Sequence, residues 1–408
     1  MAEALVNTPA QRAGALAGLR VLDLSRVLAG PLAAQMLADH GASVIKVEPP
    51  DGDESRRFGP PPDERGETAY FGGLNRGKRS IAIDLSRPAG RAVLERLLED
   101  ADVLIENFVP GTMEKWGLGY EAALAPRHPK LIYCGVSGFG ADGPLGGLPG
   151  YDAVAQAICG LMSINGTPDS GPLRIGVPVV DYLTGYNALA GVLLALAARA
   201  TSGRGQRVDA TLFDTGLSLL LVPHATNWMY SGRIPQRMGS AHPNIAPYDC
   251  YAAADGEVFL GVVNNGQFAR FCECVARPDL AADPRFADTH LRLANRDALR
   301  AEIERTLATH RAAPLCEALM RRGVPAAPVN DVAQAFSQPH ARHREMALAQ
   351  DGHQYVGVPV KLSQTPGRVG SLPPRLGEHA EAILAELGFG PAEREALYGE
   401  RVVTRPPA

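Results

Sequence analysis

Residues 20–47 read RVLDLSRVLAGPLAAQMLADHGASVIKV. A short apolar run, Arg20–Leu24, passes through the loop 25–30 to Pro31, a residue favoured in the first turn of a helix. A helical pattern fits Leu32–His40 and closes at Gly41, and Ser43–Val47 is a second apolar run. The unit is strand, helix, strand. Ser80–Leu85, Val103–Asn107, Lys130–Gly135 and Gly205–Phe213 read as further strands, with a helix over Pro88–Leu98. Strand and helix alternating at this spacing predict an α/β fold with a doubly wound, Rossmann-like parallel sheet. Such sheets take ligands beyond the carboxyl ends of their strands. That places Arg26–Ala29, Glu48 and Asn107–Lys115 on the ligand side. No GxGxxG follows the first strand, and neither GxxxxGK[ST] nor GxSxG occurs, so the usual dinucleotide, nucleotide and serine-hydrolase readings fall away.

A second stretch, GVPVVDYLTGYNALAGVLLALAARA at 176–200, centres on one carboxylate, Asp181. The apolar run Ile175–Val180 predicts a strand, and Leu183–Ala200 a long helix. At that junction Asp181 is either the N-cap of the helix or a reactive carboxylate presented to a ligand, and residue types alone leave both open. The interruptions Thr184, Gly185, Asn187 and Arg199 suit a buried helix better than a membrane span. The preceding loop, SGFGADGPLGGLPG at 137–150, is either a long surface turn or a ligand loop.

The chain has 408 residues, 46% hydrophobic and 21% charged, with a net charge of −4. That is enough apolar residue for a sizeable core, and it gives no cause to expect nucleic acid or an anionic membrane as partner. The N-terminal residues lack the pattern of a signal peptide, and six scattered cysteines fit free thiols in a reducing compartment, so a cytoplasmic location is expected. Cys272-Glu273-Cys274 has no second pair, and His340 and His343 lie in a polar stretch, so no metal site is expected. Prolines 223, 235, 243 and 247 mark 223–247 as a linker. The expected organisation is a large domain over 1–222 and a smaller α+β domain over 248–332. The segment 333–408 then returns to the large domain. Within the small domain, Val258–Val263 is a strand, Asn264–Gln267 a turn before a helix from Phe268, and Asn295–His310 an amphipathic helix. The last helix is expected near Ala380–Leu387.

Several motifs together resemble the class III CoA-transferases, the CaiB/BaiF family. They are LDLSRVLAGP, SVIKVEPPDGDESR, LNRGKRSIAIDL, ENFVPGTMEKWGLGYE, GFGADGPLGGLPGYDAVAQAICGLM, GVPVVDYLTG, AHPNIAPYDCY and GVPAAPVNDV, and they span nearly the whole chain. The resemblance implies an open-ring subunit in an interlocked homodimer. It implies an Asp nucleophile at Asp181, a supporting carboxylate at Asp152, and coenzyme A as a substrate with no tightly bound cofactor. Coenzyme A is then expected along Leu28, Ala29, Ile83, Asp84, Leu85, Ser86, Asn107, Phe108, Lys115 and Tyr151. Leu28 replaces a Gln found in some relatives, and Val109 an Arg or Gly. Asn264–Gln267 stands where oxalate-using relatives carry a glycine run. These features resemble the branch that moves CoA from succinyl-CoA to dicarboxylic acids such as glutarate. Arg174, Asn265 and Gln267 are then the candidate substrate contacts. A formyl-CoA:oxalate-type transferase and an α-methylacyl-CoA racemase are the alternatives. The racemase branch resembles GHD where this chain has GYD, and Tyr151, with an ordinary pKa of about 10, suits proton exchange poorly.

Overall fold

A computed structural model describes residues 14–59, 67–350 and 352–406. The chain forms two compact units. One holds residues up to 160, 175–219 and from 342 on; the other holds 161–174 and 220–341. The stretch 161–174 belongs to the second unit, an excursion outside the linear boundaries drawn from sequence.

The first unit is built on six parallel strands: β1 (Arg20–Asp23), β2 (Ser43–Glu48), β3 (Lys78–Ala82), β4 (Val103–Glu106), β5 (Ile132–Ser137) and β6 (Arg207–Thr211). Their order is β3-β2-β1-β4-β5-β6, so the topology reverses between β1 and β4. Alternate residues on each strand face opposite sides. Val21, Val44, Ile105, Ile132 and Cys134 pack beneath two helices, α1 (Ala29–Asp39) and α3 (Val179–Ser202). Leu22, Ile81, Leu104 and Tyr133 pack on the other face against Val93, Leu94, Leu97 and Leu98. Each such buried aliphatic side chain contributes about 1.5–3 kcal/mol.

The C-terminal segment completes that second layer: Ile383, Leu384, Val402 and Val403 are buried in it, and Ile83 bridges Val403. This explains why β3 ends at Ala82, short of the expected Leu85. Beyond Ala82 the Asp84 N–H goes to the Val402 carbonyl at 2.9 Å, so the chain turns from β2 to the returning tail. A last helix, Pro391–Gly399, follows the expected one.

Helix α1 starts three residues earlier than its pattern suggested. Pro31 sits in the first turn, where its missing N–H has no intrahelical partner to lose. The run Ile175–Val180 is not a strand. Pro178 precedes α3 directly, and the Ile175 N–H is taken by the Gln156 side chain at 2.8 Å, leaving no ladder to join. Among the described residues α3 is the one helix long and apolar enough to span a membrane. Its expected burial is partial: Val180, Thr184, Ala188, Val192 and Ala195 are buried, while Tyr182, Tyr186 and Leu194 are exposed.

The second unit has an antiparallel sheet of β7 (Tyr248–Ala253), β8 (Gly256–Gly261) and β9 (Ala326–Pro328). Its helices α4 (Asn265–Cys274), α5 (Arg296–Leu307) and α6 (Ala312–Arg321) bury Phe268, Phe271, Leu299, Ile303, Leu315 and Leu319 on it. Asn264–Gln267 is therefore not a free turn. Asn264 is the N-cap of α4, its Oδ1 accepting the Gln267 N–H at 2.9 Å.

Candidate active site

The reversal between β1 and β4 opens a crevice beyond their carboxyl ends, as doubly wound topology requires. After β1 the chain runs through Leu24–Leu28 into α1; after β4 it runs through Asn107–Pro110. Asn107 ties the two loops together. Its Oδ1 accepts the Arg26 N–H at 2.8 Å, and its Nδ2 donates to the Arg26 carbonyl at 2.7 Å. Two cavities meet along this seam, sharing Arg26, Phe108 and Val109. One, of about 340 Å³, is walled by Pro49, Pro50, Ile83, Asp84, Leu85 and Ser86. The other, of about 190 Å³, is walled by Leu28, Ala29, Gly138, Gly150, Tyr151 and Asp181. Gly138 and Gly150 touch backbone to backbone there. A Cβ on Gly138 would fall 2.9 Å from the Gly150 Cα, so no other residue type fits at this approach.

Asp181 and Asp152 divide the two roles that sequence left open. Asp181 is the third residue of α3, not its cap. The cap comes from Asp152, at the start of helix α2 (Asp152–Ile158). The Asp152 Oδ1 accepts the N–H groups of Val180 at 2.8 Å and Asp181 at 3.2 Å, and its Oδ2 accepts from Gln156 at 2.7 Å. Asp152 is buried and its acceptors are engaged. The Asp181 carboxylate has no hydrogen bond or ion pair among the described residues, and it faces the cavity. Burial, and then the neighbouring Asp152 charge, push its pKa up to about 7. Burial and the Asp181 charge likewise raise the Tyr70 phenol to about 12. Tyr70 comes from a short helix, Ala69–Asn75, whose sequence carried no chemical signature.

Gly185, one turn after Asp181, sits against α1. A Cβ there would lie 2.8 Å from the Ala29 carbonyl oxygen. The glycine lets α3 pack directly on the start of α1, so the Asp181 backbone is fixed relative to Leu28 and Ala29. Among the described residues no side chain caps α1: its N-cap residue is Leu28, which with Ala29 lines the cavity.

The expected residues are thus distributed unevenly. Leu28, Ala29, Ile83, Asp84, Leu85, Ser86, Asn107, Phe108, Tyr151 and Asp181 line the two cavities. Lys115 is exposed and lies outside their walls. Arg26 lines both, and its buried Nε has no hydrogen-bond partner among the described residues. Its place after a strand that ends at the reversal was the signal that marked it. Arg174, Asn265 and Gln267 belong to the second unit. Arg174 is exposed. The Asn265 Oδ1 accepts from the buried Arg292 at 2.8 Å, and the Gln267 Oε1 accepts the Val263 N–H at 2.9 Å, so both side chains hold local structure.

The sequence profile of CoA-transferase family III matches residues 16–380. The chain belongs to this family. It is 43% identical to a succinate–glutarate CoA-transferase of Agrobacterium fabrum over 91% of this chain and 95% of that one. It is 39% identical to an acetyl-CoA:oxalate CoA-transferase of Acetobacter aceti over 93% and 97% of the two chains. The crystal structure of a CaiB/BaiF family protein from Brucella suis superposes with a TM-score of 0.83 at 42% identity, over 92% of this chain and all of that one. As a family III member, the chain is a CoA-transferase.

Proposed function

We propose that this chain moves CoA from succinyl-CoA to a four- to six-carbon dicarboxylate, with Asp181 as the nucleophile. The observation that carries this reading is the pairing of a fully engaged Asp152 with an Asp181 that faces the cavity and has no partner among the described residues. An Asp181 oxygen adds to the thioester carbonyl, the C–S bond breaks, and CoA leaves as thiolate, giving a mixed anhydride. The thiolate then attacks the Asp181 acyl carbon and releases the donor acid. The acceptor carboxylate attacks the resulting aspartyl thioester, and the expelled thiolate takes the acceptor's acyl group and restores Asp181. Each step exchanges one carboxylate for one thiolate, so no net proton is needed, and one hard exchange becomes several easier ones. The N-terminus of α1 supplies N–H groups for the oxyanions formed on the way.

In this reading coenzyme A lies along the two joined cavities, with Arg26 as the cation nearest its anionic groups. The apolar residues left exposed, among them Leu194 on α3 and Val222, Trp228, Met229 and Tyr230 in the second unit, are covered in an interlocked homodimer.

A panel assay tests the substrate. Succinyl-CoA is offered with two- to six-carbon mono- and dicarboxylic acids, and products are read by mass spectrometry. Glutarate and its neighbours are expected to outperform oxalate. Oxalate outcompeting glutarate overturns the branch in favour of the oxalate reading, which the Acetobacter aceti relative keeps open. Deuterium entering the α-carbon of an acyl-CoA without transfer overturns the transferase chemistry in favour of the racemase.

A further inference from the structure

The loop that walls the cavity rests on charges with no access to solvent. Lys46, Lys78, Asp23 and Asp53 are all fully buried. The Lys78 ammonium donates to Asp23 at 2.7 Å, to the Pro31 carbonyl at 2.9 Å and to Asn75 at 2.7 Å. The Lys46 ammonium lies 3.0 Å from Asp53 and donates to the Ser25 carbonyl at 2.9 Å. Burying four ionised side chains is costly, and each must be matched by a partner. A core of aliphatic residues would be cheaper, so the network asks for a use beyond stability.

That use is visible in the backbone above it. Val27 has φ 69°, the left-handed region, which is strained for a β-branched residue. Its N–H is held between both oxygens of Asp53, at 3.2 and 3.3 Å. Asp53 is itself fixed by the N–H and hydroxyl of Ser55, at 2.9 and 2.8 Å. Burial opposes its charge, but Lys46 and the Ser55 hydrogen bonds hold its carboxyl down to about 2. On the other side of the loop, Asn107 grips both backbone groups of Arg26. The turn at Val27 determines where Leu28, Ala29 and the start of α1 stand against Asp181.

We infer that Asp53, through its grip on the Val27 N–H, is the positioning residue that holds the Arg26–Ala29 loop in its coenzyme A-binding form. The buried Lys46 keeps that carboxylate in place, and Lys78 and Asp23 brace the strand ends on which the loop stands. This rests on the reading that coenzyme A occupies the cavity beside the loop.

The test measures binding of free coenzyme A by calorimetry, so it does not depend on turnover. Asp53→Asn keeps the side chain's shape, loses the charged grip on Val27, and is expected to weaken coenzyme A about tenfold while the chain stays folded. Val27→Pro leaves the buried charges alone but removes the N–H and cannot reach a positive φ; it is expected to weaken binding at least as much. If Asp53→Asn does not fold, this second variant carries the test. Adding Val27→Gly to Asp53→Asn is expected to recover much of the lost affinity, because glycine takes the left-handed turn without strain; a merely structural Asp53 would show no such rescue. Val109→Glu, which puts a negative charge on the shared wall of the cavities, tests the underlying reading. If it leaves coenzyme A binding unchanged, the ligand is elsewhere. If it weakens binding while Asp53→Asn and Val27→Pro do not, the cavity is right and the positioning role is wrong.

Discussion

The Asp152 carboxylate accepts the backbone N–H of Asp181 at 3.2 Å. One acid thereby caps the helix that presents the other, and its negative charge adds to burial in raising the other's pKa. Asp152→Ala removes the cap and is expected to destabilise the chain by about 1–2 kcal/mol, whereas Asp152→Asn keeps an acceptor and costs less. Urea unfolding of the two variants checks the order. Equal losses would mean that the cap is not what holds the start of α3.

The pH dependence follows from the same pair. Asp181 must be ionised to attack, and its pKa stands at about 7, so kcat/KM for acyl-CoA is expected to rise across neutral pH and level off above it. Asp152→Asn removes the like charge, which lowers the Asp181 pKa, and moves that rise to lower pH. A limb that stays in place in the variant would assign it to another group.

Stability moves the opposite way. The ordinary Asp value is 3.8, so folding raises the Asp181 pKa and the folded chain holds its proton more tightly than the unfolded one. The contribution to stability is fully present below about pH 4 and is lost as pH rises toward 7. Asp181→Asn is therefore expected to be more stable than the parent at pH 8. The gain is on the order of 1 kcal/mol after allowing for solvent screening at a half-buried group, and it shrinks toward pH 5. Thermal unfolding at the two pH values measures it.

Asn265 carries a structural prediction. Its Oδ1 is one of three acceptors for Arg292, which is buried beside the Phe268 ring. Asn265→Ala leaves that cation short of a partner and is expected to lower stability by about 1–3 kcal/mol. An unchanged melting temperature would free Asn265 for a role toward substrate.

The parallel sheet was legible because strand, turn and helix signals repeat at short spacing from Arg20 to Gly135, and each is a local property. Asp181 was legible as a residue but not in its setting. The apolar run before it looks like a strand until Pro178 and the Gln156 contact are in view, and the Asp152 cap arrives from 29 residues upstream. Asn264–Gln267 looks like a turn because cap residues and turn residues are the same types. Asp53 gave no sign of its task, since a carboxylate in a Pro- and Gly-rich loop reads as a solvated one. Only the fold brings it under Val27.

Asp181, and no other side chain, is expected to become acylated. Enzyme is incubated with succinyl-CoA without acceptor acid, quenched with hydroxylamine, digested and read by peptide mass. A hydroxamate is expected on Asp181 in the parent chain and none in Asp181→Asn, with transfer activity lower by orders of magnitude in that variant while it remains folded. A hydroxamate on Asp152, or an Asp181→Asn chain that exchanges CoA at close to the parent rate, would contradict it.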